Sequence, residues 1–213
     1  MNDSTEARPA RVEPALVRSL GRVDYQTTWR AMQQFTHARS PATPDEIWIL
    51  EHDPVYTVGL NGAPEHLLRR TEIPVIQIDR GGQITYHGPG QLVIYLLLDL
   101  RRRNYGVREL VRRMERAVIA LLAEEGVAAA GNVAAPGVYV GEAKIGALGL
   151  RVKNGCCYHG LSLNIDLDLA PFADINPCGY AGMPVTRTSD LGLDLTVQTA
   201  GGRLSHHLLD LLD

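Results

Sequence analysis

The chain has 213 residues, 45% of them hydrophobic and 21% charged, which supplies one substantial core and excludes a wholly disordered polymer. The formal net charge of −3 leaves no global basic excess and argues against a nucleic-acid partner. The three cysteines, at 156, 157 and 178, form no disulfide framework and point to a reduced, cytoplasmic protein.

Residues 1–10 are polar, carry Asp3 and Glu6, and lack the apolar core of a secretory signal. They are expected to be a flexible tail before a single domain over 11–213. Asp24 is a plausible helix N-cap, and Tyr25, Trp29, Met32 and Phe35 behind it share one helical face. The break falls at Ser40-Pro41 and Pro44. Short strands follow at 47–50 and 75–78, separated by a turn at Asp53-Pro54. A glycine-rich loop is expected over 80–90. The nearly unbroken apolar run 92–98 reads as a strand buried on both faces, and is too short to span a membrane.

Val107, Leu110, Val111, Met114, Val118, Leu121 and Leu122 repeat every 3.6 residues, with Gly126 as the stop. Strands are expected at 138–140, at 144–152 and from 156 to 167, with Asn154-Gly155 as a hairpin turn. The segment 170–190, with prolines at 171, 177 and 184, reads as a long loop. A terminal helix is expected over 203–212, since Gly201-Gly202 weakens any extension towards Thr196. No repeat of 20–50 residues occurs. The fold class is α+β, a mixed and mostly antiparallel sheet with packed helices.

Two segments carry chemistry. In the first, residues 80–91, adjacent glycines let backbone approach a ligand, Arg80 is suited to a polar ligand group, and His87 to orienting or donating. Taken alone, such a pair is also an ordinary turn. It is not a P-loop, because no Gly-Lys-Ser/Thr follows, nor a dinucleotide fingerprint, because a strand follows instead of a helix. In the second, residues 175–184, Cys178 sits among loop formers, where reactive groups concentrate. Cys156 and Cys157 lie in an apolar strand and read as inert core thiols. A nucleophilic thiol needs a nearby cation or base, and the candidates are Lys144, His87 and His159. Each has a bland alternative: a strand-end lysine in solvent, or a satisfied core histidine. No Cys/His spacing suits zinc, and neither metal nor cofactor is expected.

The stretches RGGQITYHGPGQLVIY (80–95), KIGALGLRVKNGCCYHGLSLNID (144–166) and INPCGYAGM (175–183), in this order, resemble the lipoyl(octanoyl) transferases of lipoate biosynthesis over nearly the whole chain. The resemblance implies a fold shared with the catalytic domains of biotin and lipoate ligases. It implies that Cys178 is the acyl-thioester cysteine and Lys144 the lysine that lowers its pKa. It further implies substrate contacts at Arg80, Gly81, Gly82, Gln83, Ile84, Thr85, Tyr86 and His87, at Ala147, Leu148 and Gly149, and at Gly160, Leu161 and Ser162. Ser162 stands where alanine is expected in many members. His159 is a supporting candidate. The implied donor is octanoyl-acyl carrier protein, and the implied acceptors are lipoyl domains of 2-oxoacid dehydrogenase E2 subunits and the glycine cleavage H protein. No nucleic acid and no membrane enters.

Both half-reactions of such a transfer develop an oxyanion, for which Gly146, Gly149 and the glycines around Cys178 are candidate N–H donors. Residues 101–116 hold seven arginines and two glutamates, which is either a solvated helix face or a docking patch for acidic carriers. Three rival readings remain: an ATP-dependent lipoate or biotin ligase, which needs no cysteine; a non-catalytic acyl-binding protein; and a cysteine hydrolase. The last lacks a carboxylate that can be placed beside a Cys-His pair.

Overall fold

The computed structural model describes residues 12–69, 71–176 and 182–212. The expected tail over 1–10 and residues 177–181, with Cys178, lie outside the described residues.

Strand β1 (Leu16–Val23) leads through helix α1 (Tyr25–Ala38) to β2 (Glu46–His52), and the two strands pair in parallel. The Asp24 carboxylate accepts the Thr27 N–H at 2.8 Å, the predicted N-cap. On the predicted apolar face Met32 is fully buried, and Trp29 and Phe35 pack with it against Trp48 and Leu50. Beyond β2 the sheet continues through β6 (Gln91–Asp99), β10 (Cys156–Asn164), β9 (Ala143–Lys153), β8 (Gly137–Val140) and β7 (Ala130–Gly131), every further pair antiparallel. A smaller sheet has β3 (Val55–Val58) between β4 (Val75–Gln77), parallel to it, and β5 (Ile84–His87), antiparallel. Helices α2 (Val107–Glu124) and α3 (Val197–Leu212) pack on one face of the larger sheet; α1 and the small sheet lie towards the other. The expected α+β class, mixed and mostly antiparallel, is the observed one.

Alternation along β6 explains its unbroken apolar run. Leu92, Ile94, Leu96 and Leu98 enter the core with α2 and α3, while Val93, Tyr95 and Leu97 turn to the α1 side. The hairpin β9–β10 turns at Asn154 and Gly155, with φ of 51° and 75°, the conformation the Asn-Gly pair favours.

Several expectations are corrected. Strands β1, β3 and β7 stand where none was expected, and β5 occupies the middle of the supposed 80–90 loop. Strand β10 ends at Asn164, and Ile165 and Asp166 donate instead to the Gly90 carbonyl. Two 3-10 turns, Ala170–Asp174 and Thr188–Leu191, interrupt the expected loop. Helix α3 runs through Gly201-Gly202, because a Cβ at Gly201 would meet Ile49 Cγ2 at 2.7 Å; glycine there buys close approach to the sheet, not a helix stop.

Part of the arginine-rich segment is structural. Arg102 and Arg103, with Arg39, converge on the buried Asp45 carboxylate. Arg103 also donates to the Leu212 carbonyl at 2.9 Å, and Arg113 to that of Leu211, satisfying orphan carbonyls at the end of α3. Arg101, Arg108, Arg112 and Arg116 remain exposed. Among the described residues no helix is long and apolar enough to cross a membrane.

Candidate active site

A cleft opens between the larger sheet and the strand-and-loop segment 80–87. Its floor is made of small residues in register on three strands: Ala147 and Gly149 of β9 face Ser162 and Gly160 of β10, beside Val93 and Tyr95 of β6. Gly160 is obligatory, since a Cβ there would lie 2.1 Å from the Ile94 carbonyl oxygen. The opposite wall comes from Arg80, Gly82, Gln83, Ile84, Thr85 and His87. Leu148 and Leu161 border the cleft while packing in the core shared with α2 and α3.

Two predicted contacts stand apart. Gly81 anchors the loop, its N–H donating to the Leu150 carbonyl at 2.9 Å. Tyr86 alternates away from Thr85 and His87 and packs against Tyr56 and Phe172. Nor do the glycines of β9 offer themselves simply as oxyanion donors. Gly146 is laddered to Leu163 on one side and Val138 on the other, and Gly149 leaves room for the Arg80 stem, whose Cδ a Cβ would meet at 2.9 Å. Arg80 is buried and directs its guanidinium to the Thr57 carbonyl and hydroxyl, at 2.8 and 3.0 Å, and to the Gly81 carbonyl at 3.0 Å, which shapes the loop.

Lys144 is no solvent lysine: it is 4% exposed. Its Nζ donates to the Pro136 carbonyl at 3.2 Å and lies 5.3 Å from the Tyr139 ring centre. Gly137 makes space for it, since a Cβ there would fall 2.6 Å from Lys144 Cε. A small cavity in front of Lys144 shares Thr85, Ala147 and Ser162 with the cleft. The two chain ends flanking residues 177–181 are tied down. The Asn176 N–H donates to the His66 carbonyl at 2.9 Å; beyond residue 181, Lys144 N–H donates to the Pro184 carbonyl at 2.8 Å and Thr186 N–H to that of Lys144 at 3.0 Å.

A buried polar chain connects the cleft wall to that second tie. His87 Nδ1 donates to Gln91 Oε1 at 2.7 Å, Gln91 Nε2 to Asn164 Oδ1 at 2.9 Å, and Asn164 Nδ2 to the Thr186 carbonyl at 2.9 Å. Burial, with His52 nearby, pushes His87 down to about 3, so the ring is neutral and orients rather than supplies charge. A second hub is Asp79. Burial works against its charge, but hydrogen bonds from His159, Tyr158, Trp29 and Gln33 prevail and hold the carboxyl well below the usual range. His159 sits in β10 with φ of 62°, a conformation rare outside glycine, held by its Nε2 contact to Asp79 at 3.1 Å. Burial pushes its imidazole down despite that carboxylate. Burial thus disfavours a charge on both imidazoles, which leaves Lys144 among the three candidates.

Cys156 and Cys157 are buried, free thiols, and burial pushes Cys157 up to about 12, as an inert core thiol requires. Among the described residues no three His, Cys, Asp or Glu side chains converge as metal ligands. Sequence reasoning missed Asp79, Thr57 and Asn164 as parts of the site, and gave Gln91, inside the candidate segment 80–91, no role of its own. The available signal was polarity flanking apolar strands: Gln91 and Asn164 bound β6 and β10 at one end, and both are buried.

The chain as a whole matches known proteins. The family model described as the lipoyl protein ligase A/B catalytic domain matches residues 24–209. An octanoyltransferase of Dechloromonas aromatica is 64% identical over 200 residues, covering 94% of this chain and 98% of its own. Among solved structures, a lipoate-protein ligase A bound with ATP superposes with a TM-score of 0.77 at 16% identity, covering 94% of this chain and 86% of that one. A biotin protein ligase from Aquifex aeolicus, in complex with biotin and ATP, gives 0.59 at 14% identity, covering 92% and 70%. The two structures establish the shared fold; the family model and the close relative establish that this chain belongs to the lipoyl protein ligase A/B catalytic-domain family and, within it, to the octanoyltransferases.

Proposed function

We propose that the chain takes octanoyl from octanoyl-acyl carrier protein onto Cys178 and passes it to a lysine amine of a lipoyl domain. The acceptors in this reading are the E2 subunits of 2-oxoacid dehydrogenases and the glycine cleavage H protein, and the setting is the cytoplasm. The observation that carries the reading is Lys144: a buried amine at one end of the cleft, with Pro184 and Thr186, a few residues beyond Cys178, hydrogen-bonded to its backbone.

In the first half-reaction the Lys144 ammonium stabilises the Cys178 thiolate, which attacks the donor thioester carbonyl. The new carbon–sulfur bond forms as the carrier's thiolate leaves, so one thioester replaces another at nearly balanced free energy. In the second, a neutral lysine amine of the acceptor attacks the Cys178 acyl group. Lys144, having given its proton to the departing carrier thiolate, is neutral and accepts one from that amine as the Cys178 thiolate leaves. The product is an amide, more stable than a thioester, so the step runs forward without ATP. The acyl chain lies along Ala147, Gly160 and Ser162, where each buried methylene contributes about 0.8 kcal/mol.

The experiment is intact-mass analysis after incubation with octanoyl-acyl carrier protein, followed by peptide mapping. An octanoyl adduct on Cys178, lost in Cys178→Ala, is expected; an adduct that survives in Cys178→Ala refutes the assignment. The ATP-dependent ligase reading shares the fold, and free octanoate with ATP separates the two: a ligase makes product from it, the transferase makes none.

A further inference from the structure

The cleft has two unlike ends. At one, Thr85, Ala147 and Ser162 border both the cleft and the cavity before Lys144. At the other stand Tyr25 and Tyr95, both buried, with His159 beside them. The Tyr25 ring stacks on His87 at 5.8 Å, with 16° between planes, and meets His52 at 4.8 Å. His52 in turn contacts Tyr95 at 5.8 Å.

Hydrogen bonding makes this wall apolar towards the cleft. His52 Nδ1 lies 2.8 Å from the Val23 carbonyl, which only accepts, so that nitrogen carries the proton. Nε2 is then the acceptor, and the Tyr95 hydroxyl donates to it at 2.7 Å. The polar tip of Tyr95 is thereby satisfied inside the wall. Burial pushes His52 down to about 4 and His87 to about 3, so both rings are uncharged at neutral pH.

The spacing between the ends fits a particular length. From Ser162 to Gly160, which pairs with Tyr95, is two residues along β10, about 7 Å at strand rise. An extended eight-carbon acyl chain, with bonds of about 1.5 Å, advances about 9 Å, which places its carbonyl end beyond Ser162, at the cavity before Lys144.

We propose that Tyr25 and Tyr95, held by His52 and His87, are the stop that sets the accepted acyl length at eight carbons. The proposal rests on the acyl-thioester reading of Cys178. A longer chain drives its terminal methyl into ring faces fixed by packing and hydrogen bonds. A shorter chain leaves the far end of the slot unfilled and loses its contacts.

The test is a competition. The full chain is mixed with equimolar hexanoyl-, octanoyl-, decanoyl- and dodecanoyl-acyl carrier protein, quenched early, and the adducts are read by intact mass. The wild type is expected to carry mainly octanoyl. Tyr25→Leu, which removes the ring, should raise the decanoyl-to-octanoyl ratio at least tenfold. Tyr25→Trp, which thickens the wall, should raise hexanoyl over octanoyl; the pair brackets the stop from both sides, so one variant that fails to fold leaves the other to decide. Circular dichroism identifies the folded variants, and an unmoved ratio in a folded variant overturns the length stop while the wild-type octanoyl adduct leaves the thioester reading standing. A wild type that forms no adduct of any length overturns both.

Discussion

The two faces of β6, β9 and β10 are buried to similar depth against opposite chemistries. Towards α2 and α3, Leu92, Ile94, Leu96, Ile145 and Leu163 are each 0% exposed and pack in one apolar cluster. Towards α1 and the small sheet, the same strands bury Lys144, His159, Ser162, Gln91 and Asn164, with Arg80, His87 and Thr57 facing them. The first face is built by area removed from water, the second by satisfied polar atoms. The comparison teaches that stability and chemistry are assigned to alternate residues of one strand, so adjacent substitutions should separate them.

The largest expected effect belongs to the polar face. Lys144→Ala should lower the rate of Cys178 acylation by between about 10²- and 10⁴-fold, the range of a lost acid–base partner, with little change in melting temperature. A thiol titration should show the Cys178 pKa rising towards that of free cysteine. A titration with no shift would remove Lys144 from the role and blur the division between faces.

Leu96→Ala is the mirror experiment. Its side chain is fully buried in the apolar core, and the truncation should cost about 3 kcal/mol of unfolding free energy, measured by urea denaturation. The folded fraction should acylate at the wild-type rate, because the cleft floor beside it is made by Val93 and Tyr95 of the same strand. A tenfold loss of turnover in folded protein would mean that the faces are coupled.

Much of this division was legible in the sequence, but unevenly. The apolar runs at 92–98 and in α2 announced the core, because periodicity reports burial directly. Resemblance pointed to the cleft residues Ala147, Gly149, Gly160 and Ser162, which line one floor. What stayed hidden needed tertiary contacts. Strand β1 is exposed along most of its length and shows no alternation; it exists because β2 offers a parallel edge. Strand β5 hid inside a glycine-rich segment that its partner β3 straightens. Tyr25 was legible as a core residue of α1, yet its ring bounds the cleft, and nothing local distinguishes the two. Gly201-Gly202 was misread because a helix that packs closely on a sheet and a helix that stops use the same residue.

The third prediction concerns acid. His52 and His87 are held neutral in the folded state by burial, with pKa values pushed down to about 4 and about 3. In the unfolded chain both titrate at about 6.5. Below that value the unfolded state binds more protons, so stability falls with pH from about 6.5 towards the folded values. Between pH 7 and 5 the loss should be about 2 kcal/mol for each histidine. His52→Gln should flatten that slope by roughly half; an unaltered slope would show that His52 is already charged in the folded protein. Asp79 works in the same direction at lower pH: its depressed carboxyl contributes stability above the unfolded pKa of about 3.9, and that is lost as pH falls further.

The smallest effect tests whether the comparison extends to the surface. Lys144 lies in front of the Gln91 and Asn164 end of the sheet, whereas the arginine-rich segment begins just after Asp99. Eight residues of strand separate Gln91 from Asp99, about 26 Å. That exceeds the Debye length of about 8 Å at physiological salt several times over, so the exposed Arg101 and Arg108, at the Asp99 end, act on diffusional encounter and not on the reacting atoms. Arg101→Glu with Arg108→Glu should therefore lower kcat/KM for an acidic acyl carrier a few-fold at low ionic strength, with kcat unchanged and the difference erased at high salt. A small free octanoyl thioester, which gains nothing from steering, should react at the wild-type rate with the double variant. If kcat/KM for the carrier is the same in both proteins at low salt, the arginines serve only Asp45 and the carbonyls of α3, and encounter is governed by another surface.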